Sequence, residues 1–427
     1  MALEKERITL GFIPLTDCAP LVIAKEKGWF AEQGLDVTLS KETSWSNIRD
    51  KVAIGVLDGA QMPAPMVLAA SAGLGPFKKP MVTALSLDLN GNAITVSDAL
   101  YRRMREIAPQ QMVDHQGSAA ALKQLIELER SGEHNPITLA TVFPHSTHSY
   151  QLRYWAASVG LDPDRDLRLV VIPPPQMPRA LEEGRIDGFC AGEPWNEVAV
   201  KSGIGRVLIT GYEIWNNAPE KVLGVTEEWA EQNPETHQAL IEAILQAARW
   251  MDMAENRDEV VEIIARGIYV NAPADVVRMS MTGTFQYSAD EAARNLPDFN
   301  VFHRYAANFP WRSHAVWILS QMARWGELVQ PLDFHRLAES VYRCDVYRAA
   351  ARSLNIAAPL DDYKSEGSHA EAWQIPADQG ELTMGRDRFV DGQLFDPADP
   401  LGYLRGQGVI FDHAAHDRVV PIRNKHV

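Results

Sequence analysis

Cysteine is scarce. The 427 residues hold three, Cys18, Cys190 and Cys344, far apart and without a CxxC pair. That count and spacing exclude a disulfide framework and argue against a structural zinc site. Long apolar runs are missing too: no stretch of about 18 apolar residues occurs, so no membrane insertion is expected. Basic charge is in deficit, with 41 Lys and Arg against 56 Asp and Glu and a formal net charge of −15. A general nucleic-acid-binding face needs the opposite balance, so no direct nucleic-acid contact is expected. A local anion site remains allowed, because a pocket is set by its own donors. Nucleophile elbows and phosphate-cradling loops are absent, and Gly73-Leu74-Gly75 is a lone GxG without a third glycine. No catalytic constellation emerges. The expectation is therefore no enzyme, no catalytic residues, no metal and no cofactor.

The chain is 46% hydrophobic and 23% charged, an ordinary globular make-up with length for two to three domains. Its start, MALEKERITLGFIPL, runs from a short charged lead straight into a strand-like segment. It has no apolar leader region and no small-residue cleavage site. Taken as the natural start, this predicts a cytoplasmic protein; a trimmed periplasmic protein would read the same.

Hydrophobic patterning predicts strands at 8–14, 35–39, 82–87 and 93–96, with helices at 20–30 and 46–57. Ser44 or Ser46 suits the N-cap of the second helix. A second set follows, with strands at 137–142, 167–172 and 186–190 and helices at 146–159 and 177–183. From 234 onward the pattern is long and helical, and beyond about 350 it becomes rich in Pro, Gly and Asp. Alternation of this kind predicts a parallel sheet covered by helices. Two α/β lobes with a helical return fit a two-lobed solute-binding fold that closes on a ligand across a hinge.

Five segments carry candidate chemistry. Thr43-Ser44-Trp45-Ser46 sets an indole donor beside a helix N-terminus, where anions are favoured. A plain cap with a packing Trp explains the same residues. Phe143 to Tyr150 gathers hydroxyls and two imidazoles, His145 and His148, at another helix start. Its HxxH spacing invites a metal, but no acidic or Cys partner lies nearby in sequence. An anion site and a simple helix cap both fit. Asp187 to Asn196 is rich in turn formers, with Glu193 as a structural acceptor. Lys221 precedes an apolar strand and could place a point charge in a cleft. Leu89-Asn90-Gly91-Asn92 is equally at home in a hinge or a site.

Together these stretches resemble the nitrate/bicarbonate branch of ABC-transporter solute-binding proteins. The matching segments are GFIPLTDCAPLVIAKEKGWF, TSWSNIRDKVAIGVLDGA, LNGNAITV, FPHSTHSYQLRYW, VIPPPQM, IDGFCAGEPWN, PEKVLGVT, YKSEGSHAEAW and MGRDRFVDGQLFDPADPLGY. The resemblance covers nearly the whole chain. It implies an α/β, two-lobed periplasmic-binding-protein-like (type II) fold, C-shaped, with a helical return and an extended C-terminal tail. The implied division is lobe I at 1–95 and 215–345, lobe II at 96–214, and a tail at 346–427 wrapping both. It implies that Trp45, the Asn90-Gly91-Asn92 turn, His145 and Lys221 contact the anion, with Thr147, Gln61 and Glu193 in support.

Nitrate is planar and offers only acceptors, so its site should present only donors. Bicarbonate carries an O–H and needs an acceptor as well. In the bicarbonate relatives an acidic side chain replaces the Lys near this strand, and here Glu220 and Lys221 are adjacent. Placing Lys221 in the cleft gives nitrate, with nitrite as a second ligand. Members without a leader resemble the cytoplasmic nitrate sensor that holds an RNA-binding antiterminator response regulator inactive until anion arrives. The expected function is accordingly a sensor that releases that partner on binding and so controls nitrate assimilation. The alternatives are the solute-binding component of a nitrate or bicarbonate ABC transporter, and a thiamine-pyrimidine-synthase-like enzyme of the same fold. The enzyme carries a Cys-rich loop, which three dispersed cysteines do not provide.

Overall fold

The computed structural model describes residues 2–130, 135–328 and 330–408. Ten strands form two five-stranded sheets. The first holds β1 (Arg7–Phe12), β2 (Asp36–Lys41), β3 (Gly59–Pro63), β4 (Met81–Ser86) and β11 (Lys221–Thr226) in the order β2-β1-β3-β11-β4. The second holds β6 (Asn92–Ser97), β7 (Thr138–Thr141), β8 (Arg168–Val171), β9 (Gly188–Gly192) and β10 (Gly205–Thr210) in the order β8-β7-β9-β6-β10. This is the two-lobed periplasmic-binding-protein arrangement. The short strand β5 (Leu89–Asn90) pairs with Asn300–Val301 between the lobes.

Both sheets follow one plan. Three parallel strands are followed by an inserted antiparallel strand, then by an edge strand antiparallel to that one. The inserted strands, β11 and β6, are those that have just crossed from the other lobe. A strand entering at the cleft runs away from it, whereas the parallel strands end there. The sheets are therefore mixed, not parallel throughout as simple alternation predicts.

The first crossing falls at 89–92, so β6 begins in the second sheet ahead of the boundary expected at 95. The bend is made by Asn90 (φ 65) and Gly91 (φ 84), in the left-handed region that suits Asn and Gly. A Cβ at Gly91 would run into the Asn300 amide. The expected helix at 20–30 is two helices, Ala19–Glu26 and Trp29–Glu32, separated at Gly28 (φ 81). Ser44 caps Trp45–Ala53 by accepting from the Asn47 N–H (3.2 Å), and Ser146 caps Thr147–Ala157 by accepting from the Ser149 N–H (3.1 Å).

The lobes are also tied together behind the cleft. Trp317, on the helix Arg312–Arg324, packs on Trp215 of the second crossing (4.7 Å between centroids) and on Tyr154 of the second lobe (6.0 Å). Phe389 packs on the same two rings at 4.7 and 5.4 Å. The hairpin Trp373–Ala377/Gly380–Met384 buries Ile375 and Met384 against the first lobe's core. Residues 409–427 of the expected tail lie outside the described residues.

Candidate functional site

The parallel strands and the loops after them end at the cleft, where open α/β sheets gather binding residues. The first lobe supplies Asp17 after β1, Trp45 opening the helix after β2, Gln61 in β3, Asp88 after β4, and Glu220 and Lys221 around the start of β11. The second supplies Asn92 at the start of β6, Thr147, His148 and Gln151 on Thr147–Ala157, and Cys190 in β9. All eleven side chains are buried.

Lys221 sits at the centre. Its Nζ lies 2.7 Å from Asp17 Oδ2 and also bonds Glu220 Oε1. Its backbone N–H donates to Asp88 Oδ1 (2.9 Å). Gln61 fixes Asp17: Nε2 donates to the carboxylate, while Oε1 accepts the Ile13 N–H at 2.9 Å. The Trp45 ring lies 5.5 Å from Lys221 Nζ, within cation–π range. Trp45 Nε1 is buried with no hydrogen-bond partner.

Bonds then cross the cleft. Asn92 Nδ2 donates to Glu220 Oε2 (2.7 Å) and to Gln151 Oε1 (3.1 Å). The Thr147 hydroxyl donates to Glu220 Oε2. His148 Nδ1 lies 3.6 Å from Glu220 Oε1, and neither ring nitrogen makes a hydrogen bond. Two further contacts join the lobes at the rim: the Thr16 N–H donates to the Glu193 carbonyl (2.8 Å), and Trp195 Nε1 to the Pro14 carbonyl (3.1 Å).

Burial without enough counter-charge sets the electrostatics. Burial pushes the Glu220 carboxyl up to about 7, opposed by Lys221. It raises Asp88 well above the carboxylate range, with Asp17 adding to the shift, and raises Asp17 against the pull of Lys221. For Lys221, burial works against the charge, but Asp17, Glu220 and Asp88 outweigh it and the ammonium is strengthened. Burial, helped by Lys221, holds His148 well below its ordinary value, so the ring is neutral. A neutral imidazole offers one N–H and one acceptor.

The residues expected from the sequence divide into three groups. Trp45, Asn92, Thr147 and Lys221 come together in the cleft, with Gln61 just behind them. Asn90 and Gly91 do not line it. Asn90 clamps the hinge, donating to the Asp298 carbonyl (2.7 Å) and accepting from the Ala218 N–H (3.0 Å), and the Gly91 N–H donates to the Phe299 carbonyl (2.7 Å). His145 lies outside as well: it precedes the cap Ser146, and its Nδ1 pairs with Glu327 Oε2 at 3.0 Å. Glu193 is a rim contact through its backbone, and its Oε2 accepts the Glu197 N–H (3.2 Å).

His148, Asp17, Asp88 and Glu220 complete the cluster, beyond the contacts that the resemblance implies. The cap at Ser146 puts His148, not His145, in the first helical turn, and that was the available signal. A cleft presenting only donors is thus not what forms. Glu220 and Lys221 both face inward, and three carboxyls surround one ammonium. Among the described residues, no group of three or more His, Cys, Asp or Glu is arranged to hold a metal ion.

The NMT1-like family's sequence model matches residues 1–265. The nitrate import ATP-binding protein NrtC of Synechocystis sp. is 40% identical over 94% of this chain, which spans 55% of that protein's length. The bicarbonate transport ATP-binding protein CmpC of Synechococcus elongatus is 37% identical over 94% of this chain, again with 55% of its own length spanned. The chain thus spans about half the length of these relatives. The crystal structure of the periplasmic nitrate-binding protein NrtA from Synechocystis superposes with a TM-score of 0.84 at 30% identity, covering 95% of this chain and all of that one.

Proposed function

The chain belongs to the NMT1-like family, and on that premise we propose that its cleft binds one small monovalent oxyanion, nitrate or nitrite, as the binding component of an anion importer. The observation that carries the reading is the meeting of three nitrogen groups in one buried place between the lobes. These are the Lys221 ammonium, the partnerless Trp45 indole N–H and the partnerless His148 ring. Thr147 and Asn92 add donors from the facing lobe. A planar anion accepts from several directions at once, which suits donors converging from both lobes. The likeness to proteins of nitrate import supports the importer role, and relatives that bind and transport support a binding cleft over a catalytic one. The sensor role places the same switch under a different partner: nitrate favours the closed cleft, and an antiterminator holding the open form would weaken nitrate binding by the same factor.

Isothermal calorimetry against nitrate, nitrite, bicarbonate and sulfate tests the ligand. Nitrate and nitrite should bind at one site. Sulfate should not, because a second negative charge would face Asp17, Asp88 and Glu220. Heat with bicarbonate alone would favour the CmpC-like reading, in which Glu220 accepts the ligand's O–H, and would end the nitrate one.

A further inference from the structure

Building on the nitrate reading, we propose that Glu220 takes up one proton as the anion binds, so that oxyanion and proton enter the cleft together. The geometry leads there in three steps. First, the Glu220 carboxylate uses the donors an anion needs: Lys221 and the facing Asn92 and Thr147 all bond to it, and His148 lies 3.6 Å away. A carboxylate is flat and offers its oxygens in one plane, so it is a built-in substitute for a flat oxyanion. Second, the charges do not balance. The titratable groups that act on Glu220 are Lys221 beside it in sequence, Asp17 after β1, Asp88 after β4, neutral His148 on the facing helix, and the Cys190 thiol in β9. Burial, aided by Glu220, holds that thiol protonated. With Asp88 raised well above the carboxylate range, the one ammonium still holds both Asp17 and Glu220 and has no charge to spare for an arriving anion. Third, protonation solves both problems at once. A neutral Glu220 releases its donors and turns from acceptor to donor, its O–H pointing to the anion.

Glu220 is better placed for this than its neighbours. Asp17 keeps two donors on its own lobe, Lys221 and Gln61, and Asp88 keeps the Lys221 backbone N–H. Glu220 is the carboxyl that also takes donors from the opposite lobe, Asn92 and Thr147, so it feels closure and ligand directly. The proton comes from solvent, and no bond other than O–H forms or breaks. Bicarbonate would differ, because it carries its own proton to the carboxylate.

The test is calorimetry of the intact protein with nitrate at several pH values, in buffers of different ionisation enthalpy. Burial pushes the Glu220 carboxyl up to about 7 in the free protein. Nitrate affinity should therefore be flat below that pH and fall about tenfold per pH unit above it, with close to one proton taken up at pH 8.5. Glu220→Gln keeps the shape and a permanent N–H donor, and should bind nitrate without proton uptake or pH dependence over the same range. Nitrate binding with no buffer-dependent heat from pH 6 to 9 overturns the proposal while leaving the nitrate reading intact. Equal uptake by Glu220→Gln overturns the assignment to Glu220. Absence of nitrate binding in both proteins at every pH overturns the ligand reading and this inference with it.

Discussion

Lys221 has no solvent exposure and yet faces three carboxyls, so its removal has a signed pH dependence. Lys221→Met keeps the length of the side chain and deletes the charge. The groups left behind have raised folded-state pKa values, so each stabilises the fold most when pH lies below its unfolded value. That contribution is lost as pH rises through the folded value, about 7 for Glu220 before the ammonium is removed and higher after. The variant should lose about 3–5 kcal/mol at pH 8, the range for breaking a buried ion pair, and much less at pH 5. Urea unfolding at the two pH values measures it, and equal losses at both would show that the carboxyls do not carry the effect. Trp45, Thr147, Asn92 and Lys221 lie in short motifs whose local reading left a cap, a hinge or a site open, and only the family resemblance pointed to the anion. Asp17, Asp88 and His148 act only through neighbours distant in sequence, such as Gln61 or Lys221, and no local spacing announces that. Glu220 was visible beside Lys221, but adjacency in sequence does not reveal that both side chains turn inward.

The helix Thr147–Ala157 shows how an element delivers a site. Its cap, Ser146, fixes where the first turn starts, and that start decides which side chains meet the cleft. Thr147 and Gln151, four positions apart, share a face, and His148 stands beside them. Ser146→Ala removes the acceptor for the Ser149 N–H. It should cost about 1 kcal/mol of stability by thermal unfolding. It should also weaken nitrate binding, because fraying begins at the two residues that face Glu220. Normal affinity in a protein destabilised by that amount would separate the cap from the site. Among the elements, those with clear periodicity were readable: β1, β2, β4, β6 to β9 and the long helix Pro234–Met251 all lie close to where patterning puts them. β3 and β10 were not predicted. β3 (GAQMP) is buried along its whole length, carries a glutamine and ends in proline, so it shows neither alternation nor an apolar run. The break at Gly28 was missed because a single glycine leaves the apolar spacing on either side unchanged.

At the scale of the molecule, the two-lobed plan follows from two βα sets and a helical return, but the ties between lobes do not. They depend on rings brought together from the second crossing (Trp215), the second lobe (Tyr154), the bridging helix (Trp317) and the tail (Phe389). Around them a single buried apolar cluster runs from Trp45 and Ile48 of the first lobe to Leu139 and Phe189 of the second. Lobes joined only by a hinge would unfold as separate units, because few contacts would couple them. Lobes sharing a continuous core should unfold together, since opening one exposes apolar surface on the other. Differential scanning calorimetry should thus show one transition. Phe389→Ala should lower it by the equivalent of about 3–5 kcal/mol, the cost of truncating a buried aromatic. If the ring couples the lobes, the variant's transition should broaden, and its calorimetric enthalpy should exceed the van't Hoff value. Two resolved peaks in the unaltered protein would mean that the shared core does not couple the lobes. Closure on an anion would then be a free hinge swing, and not the small adjustment around Lys221 that a jointly packed molecule allows.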